Sequence, residues 1–335
     1  MTGARERTRL ARRRGLGLAT LAATIFSVSA QPAIAQDGGP GGTLRIDGRV
    51  LHAIDSTGAV GVEVELHRVT RDSGGVADRT RSGADGSFRF RRDEPEGSSA
   101  VFVVSARYGG IRYFGPPMHA GTQGSGEYDV LVYDTLEVSS PPDLSVGVRH
   151  LLITPDPGAG DLVDVAEVID VGGRPDRTIV PTAEASAVWV GRLPPGARGA
   201  TVVPGGLPAD QVSIDADRVL VRAPVPPTGV RLTIRYRVPV GRLEVPIDHP
   251  TRHFELLIAG GDVEASVDGL AGGEALDVSG LPYRRFSGSS LTPGTKVGAD
   301  LTRRAPGRTG AWLWLLAGGV LLAAALGTWR WRGAS

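Results

Sequence analysis

His249 and His253 stand four residues apart, the spacing that places two imidazoles on one helix face to share a metal ion. Pro250 falls between them and residues 254–258 read as a strand, so a shared helical face is not expected. Asp156, Asp161, Asp164, Glu167 and Asp170 could offer oxygens to calcium. They lack the regular ligand spacing of a calcium loop and read as the solvated face of a strand. Asp72-Ser73-Gly74-Gly75 puts a serine in a glycine-rich loop, as a nucleophile requires, but no His and Asp pattern accompanies it. That run reads as a turn. Lys296 has no following Ser or Thr in a Gly-rich context, so no phosphate loop is present.

Tyr108, Tyr113 and Phe114 surround Gly109-Gly110 and form the one aromatic cluster of the body. Such rings could serve as a ligand surface, with a glycan as the natural ligand, but a hairpin with cross-strand aromatic packing is the favoured reading. No catalytic, cofactor-binding or metal-ligating set emerges from these residues. The expectation is a protein that is not an enzyme and has no cofactor. A glycan-binding module and a metal-assisted hydrolase in the second region stand as alternatives.

What must position these residues is a β-rich chain. Glycine and proline are abundant, and short valine-rich runs recur between turn residues. Val62, Val64 and Leu66 alternate with Glu63, Glu65 and His67, predicting one dry and one wet face. Phe88 and Phe90 alternate with Ser87, Arg89 and Arg91; Ala100–Ala106 reads as a central strand and Tyr128–Tyr133 as another. Ser139-Ser140-Pro141-Pro142 marks a linker. Beyond it, Val230, Leu232, Ile234, Tyr236 and Val238 give the cleanest half-buried strand, with shorter apolar runs at 188–190, 219–221 and 254–258. The pattern predicts two β-sandwich-like domains, 43–138 and 143–302, with a subdivision near Val245 as an option.

Gly48-Arg49-Val50, Gly61-Val62-Glu63-Val64-Glu65-Leu66 and Ala84-Asp85-Gly86-Ser87-Phe88-Arg89-Phe90 together resemble the carboxypeptidase regulatory-like domain, a transthyretin-like β-sandwich, over about residues 43–136. The resemblance implies a non-catalytic accessory module that serves exported proteins as spacer, scaffold or binding surface. It does not imply peptidase activity, because none of the six histidines has Glu three residues on. The remainder resembles uncharacterised β-rich domains of the bacterial envelope.

Both ends of the chain address a membrane. Arg5, Arg7, Arg9, Arg12, Arg13 and Arg14 precede an apolar stretch and an Ala33-Ile34-Ala35 cleavage site, so residues 1–35 read as a signal peptide. Arg12-Arg13 hints at twin-arginine export, although the flanking residues fit poorly. Residues 311–329 form an uncharged apolar run bracketed by Trp312 and Trp314 and by Trp329 and Trp331. Nineteen helical residues cover about 28 Å, close to a hydrocarbon core, and tryptophan favours both of its interfaces. The expectation is a single-pass anchor in the cytoplasmic membrane, with residues 330–335 cytoplasmic and the body on the periplasmic or extracellular side. Gly319, Ala323 and Gly327 line one face of that helix at small-xxx-small spacing, which would allow a homodimer.

The full chain holds 37 basic and 36 acidic residues, of which residues 36–302 hold 26 and 35, so the exported body sits near −9. That charge argues against nucleic acid as a partner. There is no cysteine, which excludes thiol chemistry and disulfide support. The expected role is a membrane-anchored, exported scaffold that binds another envelope protein through sheet faces or edges.

Overall fold

Alternating apolar residues and closely spaced turns leave this chain little option but short strands. The computed structural model describes residues 43–303, apart from 95–97, 120–127, 156–159, 261–262 and 279–280. Among the described residues the fold is all-β, with a single 3-10 turn at Ala209–Gln211. No helix among them is long and apolar enough to cross a membrane. The expected signal peptide and the 311–329 run, with its four tryptophans and its Gly319, Ala323 and Gly327 stripe, lie outside the described residues.

The first lobe comprises β1 (Thr43–His52), β2 (Glu63–Val69), β3 (Gly74–Arg81), β4 (Ser87–Asp93), β5 (Val101–Tyr108), β6 (Ile111–Phe114), β7 (Met118–His119) and β8 (Tyr128–Val132). One sheet runs β4-β1-β8; the other runs β3-β2-β5-β6, with β7 also on β5. Their inner faces meet in a core holding Val64, Leu66, Phe88, Phe90, Phe102, Val104 and Val130. The strand expectations for these residues hold, and the period of two explains why. Gly48 lies where β1 runs parallel to β8 opposite Tyr128. A Cβ there would stand 2.0 Å from the Tyr128 carbonyl oxygen, so only glycine lets the strands close.

β9 (Thr135–Val138) follows the first lobe in sequence but pairs with the second. It runs parallel to β12 (Thr178–Pro181), from Thr135 opposite Thr178 to Val138 opposite Pro181. The residues just before the Pro-Pro linker are therefore sheet, and they join the lobes. The Tyr113 hydroxyl adds a second tie, lying 2.7 Å from the buried Thr178 Oγ1.

The second lobe holds β10 (Val146–Pro155), β11 (Leu162–Val171), β13 (Trp189–Arg192), β14 (Arg198–Val202), β15 (Val212–Asp215), β16 (Arg218–Val221), β17 (Val230–Pro239) and β18 (Gly241–Pro246). It continues through β19 (Thr251–Ala259), β20 (Val263–Asp268), β21 (Ala271–Val278), β22 (Leu281–Leu291) and β23 (Lys296–Arg303). A seven-stranded sheet, β14-β17-β11-β10-β19-β22-β21, shares one core with two three-stranded sheets, β13-β16-β15 and β18-β23-β20. Leu243, Val245 and Ile247 belong to that core.

Candidate functional site

The aromatic cluster is a hairpin. β5 and β6 are joined by Gly109 and Gly110, both at positive φ (55° and 78°), the conformation a two-residue hairpin turn needs. Tyr113 pairs opposite Ala106 and enters the core, where its hydroxyl donates to the Tyr133 carbonyl at 2.9 Å. Phe114, one residue on, pairs opposite Ser105 on the outward face and tilts against His67 at 5.7 Å. Strand alternation thus divides the three rings between two faces, and they do not form one surface. Tyr108 alone reaches a cleft. Its hydroxyl donates to Asp134 at 2.9 Å and it meets the His52 ring edge-on. That cleft, about 400 Å³, is also lined by Asp55, Tyr133, Asp176 and Arg177, and so draws on both lobes.

On the outward face of β2 and β5 the sheet assembles a serine, a histidine and a carboxylate. His67 Nε2 lies 2.8 Å from Ser105 Oγ and 3.7 Å from Glu65 Oε2. In a catalytic triad the acid orients the other ring nitrogen, Nδ1, and the serine is open to substrate. Here serine and acid share Nε2, and Ser105 is 1% exposed. The Arg79 hydrogen bond at 2.9 Å and the Arg112 guanidinium at 2.9 Å hold Glu65 below its usual pKa. Burial, reinforced by Arg112, lowers His67 and keeps it neutral at pH 7. The cluster is a closed polar network. Glu65 was expected on the wet face; its two arginine partners cover it there.

In the second lobe Asp156 lies outside the described residues and Asp161 precedes β11, and the acidic residues on β11 divide by parity. Asp164 and Asp170 face outward on β11, where Asp164 faces Arg237 and Asp170 binds the Arg231 Nε at 2.6 Å. Glu167, expected in the solvated series, is fully buried on the core face of β11. Its position is one odd step out of register with its neighbours, and alternation turns it inward. Arg149 from β10 donates Nε to Glu167 Oε1 at 2.6 Å and Nη1 to the Pro246 carbonyl at 2.6 Å. The Tyr236 hydroxyl donates to Glu167 Oε2 at 2.8 Å. Burial and the adjacent carboxylate push the Tyr236 phenol well above its usual pKa. The sequence signal for this triad was a single charge at a core-facing position in each of two strands, Arg149 and Glu167, with a tyrosine on a third, which solvated-face patterning conceals.

His249 precedes β19, stacks on Trp189 at 5.1 Å, and donates Nε2–H to the Val190 carbonyl at 2.7 Å. His253 lies exposed on β19 itself. The two histidines occupy a loop and a strand, and no helix joins them. Among the described residues no group of three or more His, Cys, Asp or Glu side chains could hold a metal ion. Ser73 closes a turn with Thr70, whose backbone N–H donates to the Ser73 carbonyl at 2.7 Å.

No protein-family model matches this chain, and no curated protein matches it. Among solved structures, the M1 zinc metallopeptidase from Deinococcus radiodurans is similar at 16% identity and TM-score 0.31, over 47% of this chain and 42% of that one. The major pilin subunit BcpA of Bacillus cereus is similar at 12% identity and TM-score 0.19, over 81% of this chain and 90% of that one. This chain thus spans less than half the length of the metallopeptidase. Likenesses this distant carry no argument about activity.

Proposed function

We propose that this chain is a membrane-anchored, exported, non-enzymatic interaction module of the bacterial cell envelope. Its first lobe would serve as a carboxypeptidase regulatory-like accessory domain, and residues 311–329 would tether the body to the cytoplasmic membrane. One observation carries the reading. The outward face of the five-stranded sheet leaves large apolar side chains uncovered, with Phe114 60%, Val69 44% and Val76 38% exposed. Exposed apolar patches on an otherwise well-packed sheet mark surfaces that bind other proteins. The groups that could do chemistry support the same reading, since Glu65 and Glu167 are each engaged by arginine.

The topology is open to a direct test, because Lys296 is the only lysine and is exposed at the start of β23. A membrane-impermeant amine reagent applied to intact spheroplasts should label it, and a Lys296→Arg variant should lose that label. Labelling that appears only after the membrane is opened with detergent would place the body on the other side. For the interaction itself, crosslinking in intact membranes should recover the same partner reproducibly.

A second reading, glycan binding, is favoured by the cleft beneath Tyr108, where an aromatic ring stands beside carboxylate acceptors and the Arg177 guanidinium. Glycan-array binding should then disappear in Tyr108→Ala. Binding that survives the change removes that reading.

A further inference from the structure

The exposed sheet face is graded, and the gradient specifies a partner. The register of β3, β2, β5 and β6 stacks its outward side chains in rows. The first row is Arg81, Glu63, Arg107 and Arg112, and the second is Arg79, Glu65, Ser105 and Phe114. In the third, Val76 and Val103 flank His67, and the fourth brings Val69 beside Val101, with His119 of β7 next to it. One end of the face therefore carries four arginines against two glutamates, and the other end is mainly valine, with the imidazoles of His67 and His119 among them. Arginine gathers here although the exported body is acidic overall.

We propose that this face docks a protein segment that is acidic at one end and apolar at the other, laid along the β2 and β5 direction. The inference rests on the interaction reading above and adds the surface and the partner's chemistry. Arg79 and Arg112 are held by Glu65 at 2.9 Å, so they are positioned in advance of binding. Arg81 and Arg107 are exposed and stand on either side of Glu63. Phe114 lies at the boundary between the two halves, where an exposed aromatic ring is the natural anchor. An anionic lipid surface fits less well, because the body's net charge opposes approach and the apolar side chains of the other half are short valines on a strand face.

The test uses the full chain in nanodiscs of zwitterionic lipid and a fluorescent peptide of four glutamates followed by an alternating Val-Thr run. The peptide should bind, weaken with added salt, and lose about tenfold or more in affinity in Arg81→Glu/Arg107→Glu and in Phe114→Ser. Those substitutions leave the Glu65 partners in place, so folding is retained, as an unchanged melting temperature would verify. Equal binding of the same peptide with lysines for glutamates, no binding of the acidic peptide, or indifference to Phe114→Ser would each overturn the proposal. So would binding of phosphatidylglycerol vesicles, or self-association of the chain, through the same arginines. A photo-crosslinker at Phe114 and another at the exposed Leu131 on β8 separate the two levels of the argument in intact cells. Partner adducts at Leu131 without any at Phe114 remove this surface and leave the interaction reading; adducts at neither position remove both.

Discussion

At the scale of single residues, buried charge is the most consequential feature of the second lobe. Arg149 and Glu167 form a pair whose side chains are 8% and 1% exposed, with Tyr236 closing the second carboxylate oxygen. Removing one partner strands the other charge in a dry core. Glu167→Leu should therefore lower the unfolding free energy by roughly 3–5 kcal/mol. Adding Arg149→Met should recover much of that loss, and urea unfolding of the three proteins measures it. Glu255 offers a pH handle. His150 at 2.8 Å, with Arg285 beside it, holds its carboxyl down to about 2 from an ordinary value near 4.5. A depressed carboxyl contributes stability that is complete above its unfolded pKa and is lost as the pH falls from about 4.5 to about 2. Glu255→Gln should be less stable at pH 7 and should lose less stability across that acid window. An acid-unfolding curve with the wild-type slope would show that this carboxylate does not govern it.

Elements depend on close approach as much as on pattern. The parallel pairing of β1 with β8 requires a residue without a side chain at Gly48. Gly48→Ala should drive its methyl into the Tyr128 carbonyl, separate the strands, and cost about 2 kcal/mol or more. Loss of amide-exchange protection confined first to β1 and β8 is the expected signature. The alternation of Val62, Val64 and Leu66 was legible in the sequence because one face must be dry. The burial of Glu65 on the opposite face was not legible, because it depends on Arg79 and Arg112 arriving from two other strands.

For the molecule as a whole, the question is whether the lobes act as one. β9 pairs with β12, and Tyr113 meets Thr178 at a buried contact, so the Pro-Pro linker is bypassed by a sheet. The described residues accordingly belong to one unit that starts at Gly41. Heating should give one cooperative transition. Tyr113→Phe with Thr178→Val removes both ends of that hydrogen bond, also leaves the Tyr133 carbonyl without its Tyr113 donor, and should broaden or split the transition, at a cost of about 1–3 kcal/mol. Two separate transitions in the unmodified chain would mean that the joint transmits no stability.

The sequence by itself determined the all-β class, the apolar strand faces and the turn at Gly109-Gly110, because these follow from local alternation and from glycine's access to positive φ. It also defined an apolar, tryptophan-bracketed segment at 311–329, whose meaning rests on composition alone. Only the tertiary structure decided which charges meet. Arg149, Glu167 and Tyr236 come from three strands, and the arginine end of the exposed face comes from three more. Parity along one strand says which way a side chain points. Register between strands says what it meets, and register is fixed by the packing of the whole sheet.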